Sequence, residues 1–491
     1  MFTVLISLQM AWIRFRYWRP FVRKAHSPRE VQERLLLEII RVNADTTFGT
    51  THGFNTINSY ARYRDSVPIQ SYEDLRPFIN AQMDQGEAAL TREQPVLYAQ
   101  TSGTTSEPKL IPITQGVIED YKITQKLFSY TLYTHRPGVY YGKVLAIVSP
   151  GIEGYLKSGQ PYGSMSGQLY SEMPRLVRSH YVIPTDVLAI KDYDAKYRAI
   201  ADLAQNERNV TLLASANPST FVKLAQIMGA SFAELWPNLQ IVATWTGGSA
   251  GMLLPKLKRM IPPHTSIVEM GYMASEFRGT ITVDGARNIQ VPTFEHTFFE
   301  FSLLEDWDSG RPVFYLLHEL TAGTRYYIFI TTKSGLYRYH MNDIIEVTGM
   351  FHQTPTIRFV QKGKGVTNIT GEKLYESQVG NALSLAGIHP IFYIMLADEE
   401  ASGYVLYLES ERADTSAMDL EKTLESLNIE YQAKVGSGRL KALQIRYLVP
   451  GTGETYKQHQ LAKGQRESQY KTMTLQYKKD CDFDFDARTI H

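Results

Sequence analysis

The stretch Gln100-Thr101-Ser102-Gly103-Thr104-Thr105-Ser106-Glu107-Pro108-Lys109 gathers small hydroxyl residues around one glycine and ends on a lysine. Tyr98-Ala99 before it reads as the end of a strand, and apolar Leu110-Ile111-Pro112 follows it. The composition suits gripping a polyphosphate. Gly103 permits φ > 0 and lets the backbone come close to a ligand. Successive backbone N–H groups in such a turn form an anion-binding concavity. Ser102, Thr104, Thr105 and Ser106 add donors, and Lys109 adds a positive charge. The second glycine and the Gly-Lys-Ser/Thr ending of a Walker loop are missing. Taken alone, the stretch could equally be a polar surface turn.

The bulk numbers are those of an ordinary soluble globular chain: 491 residues, 43% apolar and 21% charged. That length buries a large core and divides into domains. With 51 basic against 50 acidic residues the formal charge is +1, which gives no reason to invoke nucleic acid. Cys481 is the single cysteine, so no intrachain disulfide can form; a reducing, cytoplasmic setting fits. At the N-terminus Met1 to Ile13 is mostly apolar, and Arg14, Arg16, Arg19, Arg23 and Lys24 follow it. A secretory signal carries its charges before the apolar run, and a bilayer span needs about 20 apolar residues. The segment therefore reads as a first helix packed on its domain. Peripheral membrane contact is the alternative, since Trp12, Phe15, Tyr17 and Trp18 among arginines suit an interface.

Ser27-Pro28-Arg29-Glu30 reads as an N-cap, a proline at the first helical position and a capping-box glutamate. Strand-like apolar runs then alternate with helical stretches. Residues 143–148 and 239–245 read as buried strands, with Pro184, Pro218, Pro255 and Pro262 as punctuation. This rhythm predicts an α/β fold: a large N-terminal domain, 1–352, with mixed β-sheets flanked by helices. From 353 to 491 the pattern predicts a small α+β domain. Its strands are 356–360, 392–396, 404–408 and 442–448, and its helices are 374–384, 417–427 and 456–464. No internal repeat or low-complexity tract is visible.

Two later stretches complete the picture: Glu269-Met270-Gly271-Tyr272-Met273-Ala274-Ser275-Glu276-Phe277, and Gly335-Leu336-Tyr337-Arg338-Tyr339-His340-Met341-Asn342-Asp343 with Ile344 to Gly349 behind it. With the first loop they resemble, in order, the three nucleotide-binding motifs of the acyl-acid amido synthetases. That is the auxin-responsive promoter, or Gretchen Hagen, family of the adenylate-forming superfamily. Asn43-Ala44-Asp45-Thr46-Thr47-Phe48-Gly49, Val67-Pro68-Ile69 and Thr367-Asn368-Ile369-Thr370-Gly371-Glu372-Lys373-Leu374 resemble further family stretches.

The resemblance implies ATP and Mg²⁺ as cofactors, and a carboxylic acid with an amino acid or other amine as partners. Ser102, Gly103, Thr104, Thr105 and Ser106 would hold the β- and γ-phosphates, with Lys109 as counter-charge. Glu276 would help hold Mg²⁺, Ser275 would touch the α-phosphate, and Tyr272 would pack on the adenine. Gly247-Gly248-Ser249 would face the adenine. Asp343 would accept hydrogen bonds from both ribose hydroxyls. The C-terminal domain would be a mobile lid bringing Lys471 to the chemistry, with Lys362 and Lys364 as further candidates. Two departures stand out: Asn342 replaces the usual glycine before the aspartate, and Thr472-Met473 replace the Pro-Arg that usually follows the lysine. Asparagine tolerates left-handed backbone angles better than most residues, so the turn is expected to survive.

Other readings compete. Coenzyme A could replace the amine as acceptor. Gly247-Gly248-Ser249-Ala250-Gly251 matches the nucleophile elbow of α/β serine hydrolases, with Asp343 and His389 in the right order for a triad. No His-Glu-x-x-His or paired-cysteine pattern supports zinc. The acid itself is not legible, although the aromatic-rich region 155–181 is a candidate lining.

Overall fold

A computed structural model describes residues 2–101, 109–308, 311–363, 365–367, 369–370, 372, 374–410, 417–463, 470 and 472–490. The chain packs into two units. The first takes Met1–Thr246, Pro255–Met341 and Ile345–Phe359; the second takes Gly247–Leu254, Asn342–Ile344 and Val360–His491.

In the first unit the chain opens as one helical run, Phe2–Ile13, a π-helical turn Arg14–Trp18, and Arg19–Lys24. Ile6, Met10 and Ile13 are buried against Tyr17, Tyr130, Tyr133 and Tyr140, so the expected packing on the domain is present. The opposite side stays apolar and open: Val4 is 59% exposed, Leu8 63% and Phe15 70%. Among the described residues no helix is long and apolar enough to cross a membrane. The next helix, Pro28–Val42, starts at its proline as expected. Ser27, however, makes no side-chain cap bond; its φ of −142° and ψ of 59° lie outside the extended geometry a capping hydroxyl uses.

Among the described residues four sheets organise this unit. Lys143–Ala146, Val210–Ala214, Ile241–Thr244 and Ser266–Glu269 form a wholly parallel sheet in that order. All four residues of Ile241–Thr244 are buried, as befits a strand covered on both faces. A second, mixed sheet pairs Pro95–Thr101 antiparallel to Lys109–Thr114 and parallel to Pro161–Gly163. Thr280–Asp284 and Ile289–Pro292 make a hairpin. The fourth sheet orders Tyr315–Leu316, Thr297–Leu303, Arg325–Thr332, Tyr339–Phe351 and Thr354–Lys362. Gln115–His135 is the long helix of the unit, with Val117, Ile118, Tyr121, Thr124, Leu127 and Phe128 buried along it.

The second unit has the α+β character expected of the C-terminal part, but the strand expected at 356–360 lies in Thr354–Lys362 of the fourth sheet above. Gln444–Tyr447, Gly403–Glu409, Phe392–Asp398 and Leu475–Tyr477 form its sheet. The central pair is antiparallel, and both outer strands run parallel to their neighbours. Glu376–Leu385 and Ala417–Leu427 supply Val379, Leu383, Leu420 and Leu424 to one core; Tyr456, Phe483 and Phe485 pack with Ile394 and Tyr407 in another. The helix Ile429–Gly436 and the strand Leu475–Tyr477 were not anticipated.

Candidate functional site

Ser102, Gly103, Thr104, Thr105, Ser106, Lys364 and Lys471 lie outside the described residues. The strands flanking the first loop are described. Thr101 sits opposite Lys109 in their antiparallel register, which brings the two ends of the loop together. The Lys109 ammonium lies 5.4 Å from the centre of the Tyr72 ring, and the Leu110 N–H donates to the Tyr72 hydroxyl at 2.8 Å.

The second motif is a tight hairpin. Met273 and Arg278 pair across it, Ala274 N–H donates to Phe277 O at 2.9 Å, and Ser275 and Glu276 form the tip. Gly271 enters it with φ +98°, where a Cβ would fall 2.5 Å from Thr280 O. Glu269 is structural: its carboxylate accepts from the backbone N–H of Thr246 at 2.6 Å and of Gly271 at 2.9 Å, tying neighbouring strand ends. Tyr272 is 3% exposed, stacked on Phe359 at 5.4 Å and edge-on to Phe277 at 5.2 Å, so its ring lies in the core. Ser275 is buried. Glu276 is half-buried and makes no hydrogen bond or ion pair with any described residue.

Glu276 and Arg278 line one open pocket, with Asp120, Tyr121, His296 and Lys333. Asp120 lies 2.9 Å from His296 Nδ1 and 2.9 Å from the Lys333 ammonium. Burial works to raise the Asp120 carboxyl, but His296 and Lys333 prevail and hold it below its usual range. Arg278 has no such balance. The residue is 5% exposed; its guanidinium donates from Nη1 to Gln125 Oε1 at 3.2 Å and lies 5.7 Å from the Phe128 ring centre. Its Nε and Nη2 have no partner, and among the described residues no carboxylate pairs with it. Burial pulls its pKa down to about 10. Each buried donor left unpaired costs about 1–3 kcal/mol. Sequence reasoning missed Arg278, Asp120, His296 and Lys333. The region 155–181, expected as a lining, contributes nothing to this pocket, whose walls come from the helix Gln115–His135 and residues 276–278, 293–297 and 332–334.

In the third motif Asn342 adopts φ +52°, the left-handed angle its replacement of glycine demands. Its carbonyl accepts from Gly363 N–H at 2.7 Å. Asp343, next to it, is fully buried. Upstream, Arg338 is clamped by Glu300 at 2.9 Å and donates to Val67 O at 2.8 Å. Gly247, Gly248 and Ser249 follow the strand Ile241–Thr244, but Gly248–Leu253 is a 3₁₀ helix. A nucleophile elbow needs a sharp strand-to-α-helix turn instead. His389, the triad histidine of that reading, is exposed.

The GH3 family N-terminal domain matches residues 19–235, its central domain 290–362 and its C-terminal domain 376–480. The chain belongs to the GH3 family. Curated relatives in this family include the indole-3-acetic acid-amido synthetase GH3.8 of Oryza sativa subsp. indica, 23% identical over 90% of this chain and 87% of that protein. The 4-substituted benzoates-glutamate ligase GH3.12 of Arabidopsis thaliana is 22% identical over 90% and 92%. Among solved structures, the GH3.15 acyl acid amido synthetase superposes with a TM-score of 0.82 at 21% identity, covering 94% of each chain. A 2-hydroxyisobutyryl-CoA ligase in complex with its acyl-adenylate superposes at 0.57 and 12% identity, covering 87% and 90%. The expected mixed α/β architecture of adenylate-forming enzymes, with N- and C-terminal domains, is therefore the fold.

Proposed function

We propose that this GH3-family chain is an ATP-dependent acyl-acid amido synthetase, a ligase forming carbon–nitrogen bonds. A carboxylate oxygen of the acid attacks the α-phosphorus, the bond to pyrophosphate breaks, and acyl-AMP forms. The amino group of an amino acid, or another amine, then attacks the acyl carbon and AMP leaves with the attacking oxygen. The observation that carries this reading is the Ser275-Glu276 hairpin tip in a chain of this family. It sets a hydroxyl beside a carboxylate that lines a pocket and has no described partner.

Glu276 suits Mg²⁺, which takes one or two protein carboxylates and keeps phosphates and waters as its other ligands. No cluster of three or more His, Cys, Asp or Glu occurs among the described residues, so the fit is to a metal brought with phosphate. Bound there, the ion neutralises charge on the phosphates. In this proposal Lys109 and the loop 102–106 hold the polyphosphate tail, Ser275 contacts the α-phosphate, and Asp343 holds the ribose. The Gly247-Gly248-Ser249 loop lies along the adenine. Tyr272, expected on the adenine, instead packs in the core against Phe359 and supports the hairpin that carries Ser275 and Glu276. Residues 1–352 carry the substrates, and 353–491 close as a lid bearing Lys471. The setting is cytoplasmic, with the open apolar side of the first helix as a peripheral membrane contact.

The test is acid-dependent ATP–pyrophosphate exchange across pooled carboxylic acids, followed by product analysis with pooled amino acids or with coenzyme A. Exchange with some acid, and an amide when amino acids are added, is expected. A thioester instead makes the protein an acyl-CoA ligase. No exchange, together with fluorophosphonate labelling of Ser249, supports the serine hydrolase.

A further inference from the structure

We propose that Arg278 is the acid-recognition residue of the pocket, its unpaired Nε and Nη2 donors receiving the two oxygens of a carboxylate on the substrate acid. The inference rests on the amido synthetase reading and names the group that the pocket grips.

Buried arginines are normally paired, because a guanidinium taken out of water loses five solvated donors. Arg278 is 5% exposed, and its guanidinium has one described hydrogen bond, to Gln125. Its other two donor nitrogens, Nε and Nη2, are adjacent on the guanidinium edge and without described partners. Adjacent donors in that fork match a carboxylate bidentately. The other charges in the pocket do not supply one. Asp120 is taken by His296 and Lys333. Glu276 lines the same pocket yet forms no ion pair with Arg278. Two opposite charges thus share a pocket without meeting, which suits two different ligands: a metal-bound phosphate at Glu276 and an organic anion at Arg278. The apolar Phe128 ring beside the guanidinium and buried Tyr121 give that anion a partly dry, shaped surround. Such a surround strengthens a charge-assisted bond.

A carboxylate at Arg278 has two sources. One is the reacting carboxylate itself, held before it turns to the α-phosphorus. The other is a second acidic group that stays charged throughout. Matched probes separate them: benzoate against terephthalate, and butyrate against succinate. Wild type, Arg278→Lys and Arg278→Leu are compared for acid KM in pyrophosphate exchange, for acid binding by calorimetry, and for melting temperature without ligand.

Arg278→Leu is expected to raise KM for, or weaken binding of, at least one probe by roughly tenfold or more, with ATP affinity unchanged. Arg278→Lys should recover part of that loss. An effect on mono- and dicarboxylates alike assigns the reacting carboxylate; an effect on dicarboxylates alone assigns the second group. Ligand-free Arg278→Leu should melt no lower than wild type, because the substitution removes an unpaired buried charge. A purely structural arginine would give the opposite. The proposal is overturned if no probe separates wild type from Arg278→Leu, or if the variant loses ATP affinity instead. Exchange by wild type that is indifferent to position 278 removes this inference alone. Absence of exchange with every acid removes the amido synthetase reading itself.

Discussion

At residue scale Asp343 and Ser249 separate the two rival chemistries. In the amido synthetase reading Asp343 takes two ribose hydroxyls, and hydrogen bonds to a charged group contribute about 1.5–3 kcal/mol each. Asp343→Ala should therefore weaken ATP binding at least roughly tenfold by calorimetry, and more than Ser249→Ala does. Equal ATP affinity in wild type and Asp343→Ala would remove Asp343 from the site. Glu372 gives a stability prediction. It is fully buried and accepts from the backbone of Ile369 and Thr370 and from the Tyr404 hydroxyl at 2.6 Å. Burial works to raise this carboxyl, but the Tyr404 and backbone bonds hold it below its ordinary 4.5. A depressed carboxyl contributes stability that is fully present above the unfolded-state value and is lost as pH falls through the folded one. Wild type should thus lose stability on acidification below about pH 4.5. Glu372→Gln should be about 1–3 kcal/mol less stable at neutral pH, with a flatter acid limb in urea melts. Parallel acid limbs would contradict this. Residue-level legibility was uneven. The left-handed turn at Asn342 followed from asparagine's own backbone preferences. Arg278 did not, because its exposure depends on Gln125 and Phe128, some 150 positions away, and nothing in the local sequence marks an arginine as buried and unpaired.

At element scale the C-terminal unit was the most readable. Phe392–Asp398 and Gly403–Glu409 are continuous apolar runs, and Ala417–Leu427 carries helical spacing, so period and burial agree. Leu475–Tyr477 is three residues long, too short to show a period. Ile429–Gly436 is announced by its cap alone, Asn428 accepting from Tyr431 N–H at 2.9 Å. The N-terminal helix was half-legible: apolar residues on all sides show that it buries something, but not that only one side is covered. Its open side, Val4, Leu8, Trp12 and Phe15, adjoins Arg14, Arg16 and Arg19. Apolar and aromatic residues flanked by cations suit an anionic lipid surface. The protein should sediment with vesicles containing phosphatidylserine, less with phosphatidylcholine alone, and the Leu8→Glu/Phe15→Glu pair should abolish the difference. Equal sedimentation of wild type and the pair would contradict the contact.

At the scale of the whole molecule the proposed function joins three motifs, spread between residues 100 and 349, into one two-step reaction. On the proposed reading a lysine on a closing lid would stabilise charge made in the transition state, and losing such an interaction lowers kcat and kcat/KM together. Lys471→Ala should accordingly slow single-turnover adenylation while leaving ATP affinity within a few-fold; a wild-type rate would pass the role to Lys362 and Lys364. The mixed sheets and the order of the motifs were legible, because strands ending in glycine-rich turns are local features. The pocket was not, since its walls come from residues 117–124, 276–278, 293–297 and 332–334, which only the fold brings together. The central claim is that the acid passes through an acyl-adenylate, and oxygen tracing tests it most directly. With an accepted acid carrying ¹⁸O in its carboxylate, ATP and the amine, the account predicts one ¹⁸O atom in the AMP released and none in inorganic phosphate. Label in inorganic phosphate, or amide formation with unlabelled AMP, would contradict it.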